Sequence, residues 1–189
     1  MKKIILTILF ITSHSILVQA QEAMKLDLKK SEVKWFGGFA FDFGGHEGTV
    51  NIKSGELIKV EGKIARGTFV IDMNTIVNTD GDLHKELIDH LKSDDFFDVE
   101  NHPTAKLSIE KVKYHDPNNT KFSDSIFIRL NGELTIKDIT HPVMFEGEVN
   151  AESTMIIAKF KIDRTRWNVN FKSKSIGARL KDGIISDAI

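Results

Sequence analysis

The sequence predicts an all-β protein: an antiparallel β-barrel of about eight strands with one amphipathic helix and an apolar interior. Three observations point there. Apolar and polar residues alternate with period two along most of the chain, most strictly in Ile126, Ile128, Leu130, Gly132, Leu134 and Ile136 against Arg129, Glu133, Thr135 and Lys137. Turn signals separate the alternating runs, as in a sandwich or barrel. Only residues 80–105 carry helical spacing.

Residues 1–20 read as a cleavable export signal. Lys2 and Lys3 precede the apolar run 4–11, and Val18-Gln19-Ala20 supplies small residues for a cut after Ala20. The run is too short to span a bilayer, which takes about 20 apolar residues. No cysteine follows, so there is no disulfide framework or thiol chemistry. These features predict a periplasmic or secreted protein whose residues 21–189 form one domain. The signal takes two lysines and no acid from a chain of net charge −1, leaving the mature protein mildly acidic. That balance argues against a nucleic-acid partner and against a purely electrostatic grip on anionic lipid. All thirteen phenylalanines but Phe10 lie in the mature chain, beside two tryptophans and one tyrosine. Phenylalanine adds apolar area without a polar handle, so the interior should be greasy.

In chain order, residues 24–28 and 32–43 read as the first strands, with Phe39, Phe41 and Phe43 on one face. Gly44-Gly45 and Ser54-Gly55 read as turns around a strand at 49–52. Residues 63–73 put Ala65, Gly67, Phe69 and Ile71 on one face. The helix follows. Leu83, Leu87, Ile88 and Leu91 form its apolar stripe, and Thr79 or Asp80 is placed to cap it. The Phe96-Phe97 pair at its end looks like a plug, and His102-Pro103 forces an extended exit. Ala105, Leu107 and Ile109 begin the next strand, and residues 114–122 read as an exposed hairpin loop. Asn131-Gly132 marks a turn or bulge in the run that follows. Val143, Phe145, Gly147 and Val149, then Ile156, Ala158, Phe160 and Ile162, give the last two apolar faces.

Catalytic and metal motifs are weak. His84 and His90 are six apart, roughly 240° around a helix, so they cannot share a face. The run 78–82 lacks the glycine position and closing glutamate of a calcium loop. No serine sits in a nucleophile motif. Asp94, Asp95, Asp98 and Glu100 read as a solvated run around a helix end. Gly44-Gly45-His46-Glu47-Gly48 precedes a strand rather than a helix, so it is no phosphate cradle. The remaining candidate is the apolar interior, which is either packed solid or hollow enough for one small ligand. Gly67, Gly132 and Gly147 on apolar faces, and the Phe96-Phe97 plug, tilt the choice towards a hollow.

Leu91-Lys92-Ser93 running into Asp95-Phe96-Phe97-Asp98-Val99, then Pro103, resembles the hallmark stretch of the YceI-like family. His46-x-Gly48 with Gly55 downstream is similar to the family pattern too. So are Gly67-x-Phe69-x-Ile71-Asp72-Met73 and Gly132-x-Leu134-Thr135-Ile136 with Thr140 and Pro142-Val143. Asp163-Arg164 ahead of Trp167 completes a resemblance that runs in order through the mature chain. It implies a lipocalin-like barrel around an apolar chain, in exported proteins that bind polyisoprenoids, isoprenoid quinones or similar amphiphiles without catalysis. Asp138 stands where the family usually has glycine, an expected harmless turn change. The family also continues into a final strand of which residues 182–189 supply only the start, so an incomplete last strand and an open seam are expected.

On that resemblance the expected lining is Phe69, Ile71, Leu107, Ile109, Leu134, Ile136, Phe145 and Phe160, covered by Trp35, Leu87, Leu91 and Trp167. His46, Asp72 and Arg164 are the polar candidates for a head group, with structural hydrogen bonding as the competing role. No cofactor or metal is expected beyond the lipid, and loading would involve transient membrane contact. The competing functions are a solid-cored interaction module and a hydrolase built on His46, Asp72 and His84.

Overall fold

The computed structural model describes residues 20–38, 44–81, 84–115, 125–173 and 186–188. Its elements are β1 (Gln21–Lys25), β2 (Val33–Gly38), β3 (Gly45–Val60), β4 (Lys63–Asn78), α1 (His84–Lys92), β5 (Thr104–Tyr114), β6 (Ser125–Ile136), β7 (Ile139–Asn150), β8 (Ile156–Lys159) and a 3₁₀ turn (Arg164–Trp167). The strands form one antiparallel sheet in the order β1-β3-β4-β5-β6-β7-β8. β1 pairs with residues 56–60 of β3 and β2 with residues 45–50, so the two share the edge of β3 away from β4. Phe39, Phe41, Phe43, Asp82, Leu83 and residues 116–122 of the loop expected at 114–122 lie outside the described residues, while Tyr114 ends β5 instead of starting that loop.

Two-residue hairpins join β3 to β4 and β6 to β7. Glu61-Gly62 and Lys137-Asp138 have positive φ at both positions, which turns of the I′ kind require. Asp138 therefore sits in a conformation that suits glycine, and its carboxylate takes a contact from His102 Nδ1 at 2.9 Å.

The strands run longer than the alternation suggests because bulges reset its phase. β3 continues straight through the expected turn at Ser54-Gly55. Its register slips at Lys53, between Ile52↔Ile71 and Ser54↔Val70, and that slip moves the inward set onto Gly55, Leu57 and Lys59. In β4, Ala65 is left over between Ile58↔Arg66 and Lys59↔Ile64, so Ile64 rather than Ala65 is buried. At Asn131-Gly132, β6 keeps its alternation and the extra residue is Glu110 of β5.

α1 is described over His84–Lys92. The Asp80 carboxylate accepts the Glu47 N–H at the start of β3. Leu87, Ile88 and Leu91 face the core as expected. The chain leaves the helix through a compact turn in which Phe97 N–H donates to Leu91 O and Val99 N–H to Lys92 O.

The buried apolar residues form two clusters. One gathers Val50, Met73, Ile76, Leu91, Phe96, Leu134, Ile136, Trp167 and neighbours, and the other Leu57, Ile64, Ile109, Ile128, Leu130, Phe145 and Val149. Leu107 and Val143 pack against both. Met24 of β1 and Ile156 of β8, at opposite ends of the strand order, pack against the same cluster. Strands lie about 4.8 Å apart, so this is possible only because the sheet curls round its apolar face. The segment 186–188 touches both margins. Ser186 N–H donates to Gly38 O at the end of β2, while Ala188 bridges to Asp163 beyond β8.

Candidate functional site

An apolar cavity of about 100 Å³ opens at the helix end of the interior, lined by Trp35, Gly37, Val50, Met73, Ile76, Leu91, Phe96, Phe97 and Ser186. Local chemistry explains each wall. Trp35 is pinned by its indole N–H to Val77 O at 3.1 Å, and it lies over Gly48, where a Cβ would run into both the ring and that carbonyl. Met73 and Ile76 are three apart, which plain alternation would put on opposite faces. Both point inward because residues 73–76 form an excursion between Asn51↔Asp72 and Thr49↔Val77.

Asp72 organises that excursion. Its Oδ1 accepts the Asn74 backbone N–H at 3.1 Å and side-chain Nδ2 at 3.0 Å. Thr75 Oγ1 donates to Asp72 O and accepts the Asn51 N–H. The carboxylate expected as a head-group contact thus serves a turn. On the far side, Phe96 is buried edge-on to Phe97, with ring centroids 4.9 Å apart. Lys137 Nζ donates to Phe96 O at 3.1 Å, tying the plug to the β6–β7 hairpin.

Arg164 is likewise structural. It is 1% exposed and donates Nε to Ser186 O, Nη1 to Val169 O and Nη2 to Phe171 O, with Asp187 Oδ1 at 3.5 Å. Burial holds its guanidinium below the ordinary value, while Asp187 and Asp163 pull it back up. Its guanidinium carbon stands 5.4 Å over the Phe96 ring, so one buried cation joins the plug, the 3₁₀ turn and the 186–188 segment. Trp167, fully buried, docks that turn by donating Nε1–H to Leu134 O at 3.1 Å.

His46 does not line the cavity itself but neighbours Gly37, which does. It is paired directly with Gly37, and Nδ1 lies 3.0 Å from Asp80 Oδ2. Desolvation works to raise the Asp80 carboxyl. Hydrogen bonds from Glu47 N–H, Asn78 and His46 outweigh it and hold the group below its usual range. His46 and Asp72 do not converge: Asp72 is in register with Asn51, five residues along β3 from His46, roughly 17 Å at strand rise. The trio expected for a hydrolase is therefore not assembled at these two members, and the His84 side chain lies outside the described residues.

Of the expected apolar lining, Trp35 and Leu91 face the cavity. Ile71, Leu87, Leu107, Leu134, Ile136 and Trp167 belong to the surrounding cluster, and Phe69, Ile109 and Phe145 to the second one. Phe160 is 39% exposed and stacks on Phe145 at 4.2 Å, because β8 ends at Lys159. The three glycines expected to hollow the interior do not. A Cβ on Gly132 would strike Ser108 O, one on Gly147 would strike Ile157 O, and one on Gly67 would meet the Leu57 side chain. They admit close neighbours instead of leaving space. Val50, Met73, Ile76, Gly37 and Ser186 escaped the sequence reading. Only Met73 carried a signal, as the end of the motif that begins at Gly67.

No curated protein sequence matches this chain significantly. Solved structures do. The crystal structure of Burkholderia cenocepacia BcnA is similar with a TM-score of 0.58 at 20% identity, over 86% of this chain and 92% of that one. A polyisoprenoid-binding domain from Saccharophagus degradans, implicated in plant cell wall breakdown, gives 0.58 at 13% identity, over 90% and 93%. These likenesses establish a shared fold. The family model of the YceI-like domain matches residues 24–189, and with that match the chain belongs to the YceI-like family.

Proposed function

We propose that the protein is a non-catalytic carrier of a polyisoprenoid, an isoprenoid quinone or a similar amphiphilic lipid, exported to the periplasm by residues 1–20. The observation that carries this reading is the apolar cavity under Trp35, Phe96 and Phe97, set in an apolar cluster that Leu107 and Val143 join to the second one. The polyisoprenoid-binding domain of the same fold supports it. Binding would be driven by desolvation: at about 0.8 kcal/mol per buried CH₂, a five-carbon isoprene unit contributes roughly 4 kcal/mol before ordering costs. A cavity of about 100 Å³ is smaller than the roughly 300–1,000 Å³ that drug-sized ligands occupy. A long chain must therefore widen it, and the Phe96-Phe97 plug and α1 border the space that has to open.

The test is mass spectrometry of organic extracts from the gently purified mature protein. Near-stoichiometric isoprenoid or quinone is expected. A protein that is empty and also refuses added polyprenyl lipid would sink the carrier reading. That outcome favours the solid-cored interaction module, which the nearly complete burial of Ile64, Ile128, Leu130 and Val149 also suits.

A further inference from the structure

Beside Gly37 of the cavity wall stands a histidine whose two ring nitrogens have different surroundings. His46 and Gly37 are direct cross-strand partners, so the imidazole rises from the same face as Gly37, which lines the cavity. A Cβ placed on Gly37 would have no atom within 4 Å, so there is open space on that face at the neighbouring position. Nδ1 faces Asp80 Oδ2 at 3.0 Å, and that same oxygen accepts the Glu47 N–H at 3.0 Å. The Asp80 backbone N–H is itself held by Asn78 Oδ1, which fixes the main chain that carries the carboxylate. An ionised carboxylate only accepts, so the tautomer this contact selects carries its proton on Nδ1 and leaves Nε2 as a lone-pair acceptor. Among the described residues no protein group donates to Nε2, and the side chain is 30% exposed. The Asp80 carboxylate beside the ring puts negative charge next to this position, which opposes an anionic group.

We propose that His46 is the head-group contact of the cavity and that it selects isoprenoid lipids ending in a neutral hydroxyl, alcoholic or phenolic, over phosphorylated ones. This rests on the carrier reading. An acceptor nitrogen rewards a ligand O–H. A methyl ether of the same chain offers none, and a diphosphate brings like charge towards Asp80.

The test uses the delipidated mature protein with geranylgeraniol, its methyl ether and its diphosphate, titrated against tryptophan fluorescence. The alcohol should bind about five- to tenfold more tightly than the ether, the diphosphate more weakly than the alcohol, and the alcohol-to-ether ratio should fall to about one in His46→Leu. Equal binding of alcohol and ether to the wild type, or a preference for the diphosphate, overturns the assignment and leaves the carrier reading standing. Failure of all three probes to bind overturns both. A prenylated hydroquinone, measured anaerobically against its quinone, separates the two sources of hydroxyl. Tighter binding of the hydroquinone than of geranylgeraniol makes the head group phenolic, and the opposite order makes it alcoholic. A quinone bound as tightly as its hydroquinone counts against the acceptor role.

Discussion

Gly48 is caught between the Trp35 indole and the Val77 carbonyl, the two groups whose hydrogen bond fixes one wall of the cavity. A methyl group there meets main chain that cannot swing aside. Gly48→Ala should cost about 1–3 kcal/mol, read as a lowered urea midpoint with an unchanged slope. His90 presents the opposite case. Its Nε2 is buried without a hydrogen-bond partner among the described residues, and the ring sits 4.3 Å from Phe171 and 5.7 Å from Phe96. Removing an unsatisfied polar atom from an aromatic nest should be neutral or favourable, so His90→Leu is expected to gain up to about 1 kcal/mol in the same measurement. Asp80 sets a pH dependence. Its folded-state value is depressed, so its contribution is present above the unfolded value of 3.8 and is lost as pH falls through the lower folded value. Melting curves from about pH 5 downward should show a loss below roughly pH 4 that Asp80→Asn lacks. None of these three roles was legible beforehand. Asp80 was read as a helix cap because it precedes an apolar stripe, and only the fold brings β3 against it.

At the scale of elements, Arg164 decides how the chain after β8 is secured. Its three nitrogens serve carbonyls at Ser186, Val169 and Phe171, a planar fork that an ammonium cannot reproduce. Arg164→Lys strands at least one buried carbonyl and should cost about 2–4 kcal/mol by denaturant unfolding. The same variant should speed amide exchange at Ser186, whose N–H is held by Gly38 O. The elements themselves were readable where each strand keeps its own phase. β6 and β7 alternate as written, and the stripe of α1 falls on the core. They were misread where the partner strand imposes a bulge. The slips at Lys53 and Ala65 move the apolar face by one residue, which in one dimension looks like a turn at Ser54-Gly55 or an inward Ala65. A bulge belongs to a pair of strands, and single-strand periodicity carries no record of it.

Across the whole molecule, β1 and β8 share one core because the sheet curls, and that curl follows from uninterrupted inner faces on neighbouring strands. The architecture was therefore legible, whereas the cavity was not. It depends on the excursion at 73–76 and on the reach of Ser186 to β2, both long-range outcomes. Its small volume makes lipid binding and stability a coupled pair. A ligand that binds only the folded protein stabilises it by about 2.7 kcal/mol at a hundred times its Kd. For a domain of this size each kcal/mol raises Tm by roughly 2–4 °C, so saturation of the delipidated protein with geranylgeraniol should lift Tm by about 5–10 °C. The cost of parting Phe96 and Phe97 from the cavity walls is already contained in that Kd, so it weakens binding without altering the relation. A solid-cored module gives a different result under the same titration. Its Tm stays flat at every lipid concentration, because no chain enters and the folded state gains nothing over the unfolded one.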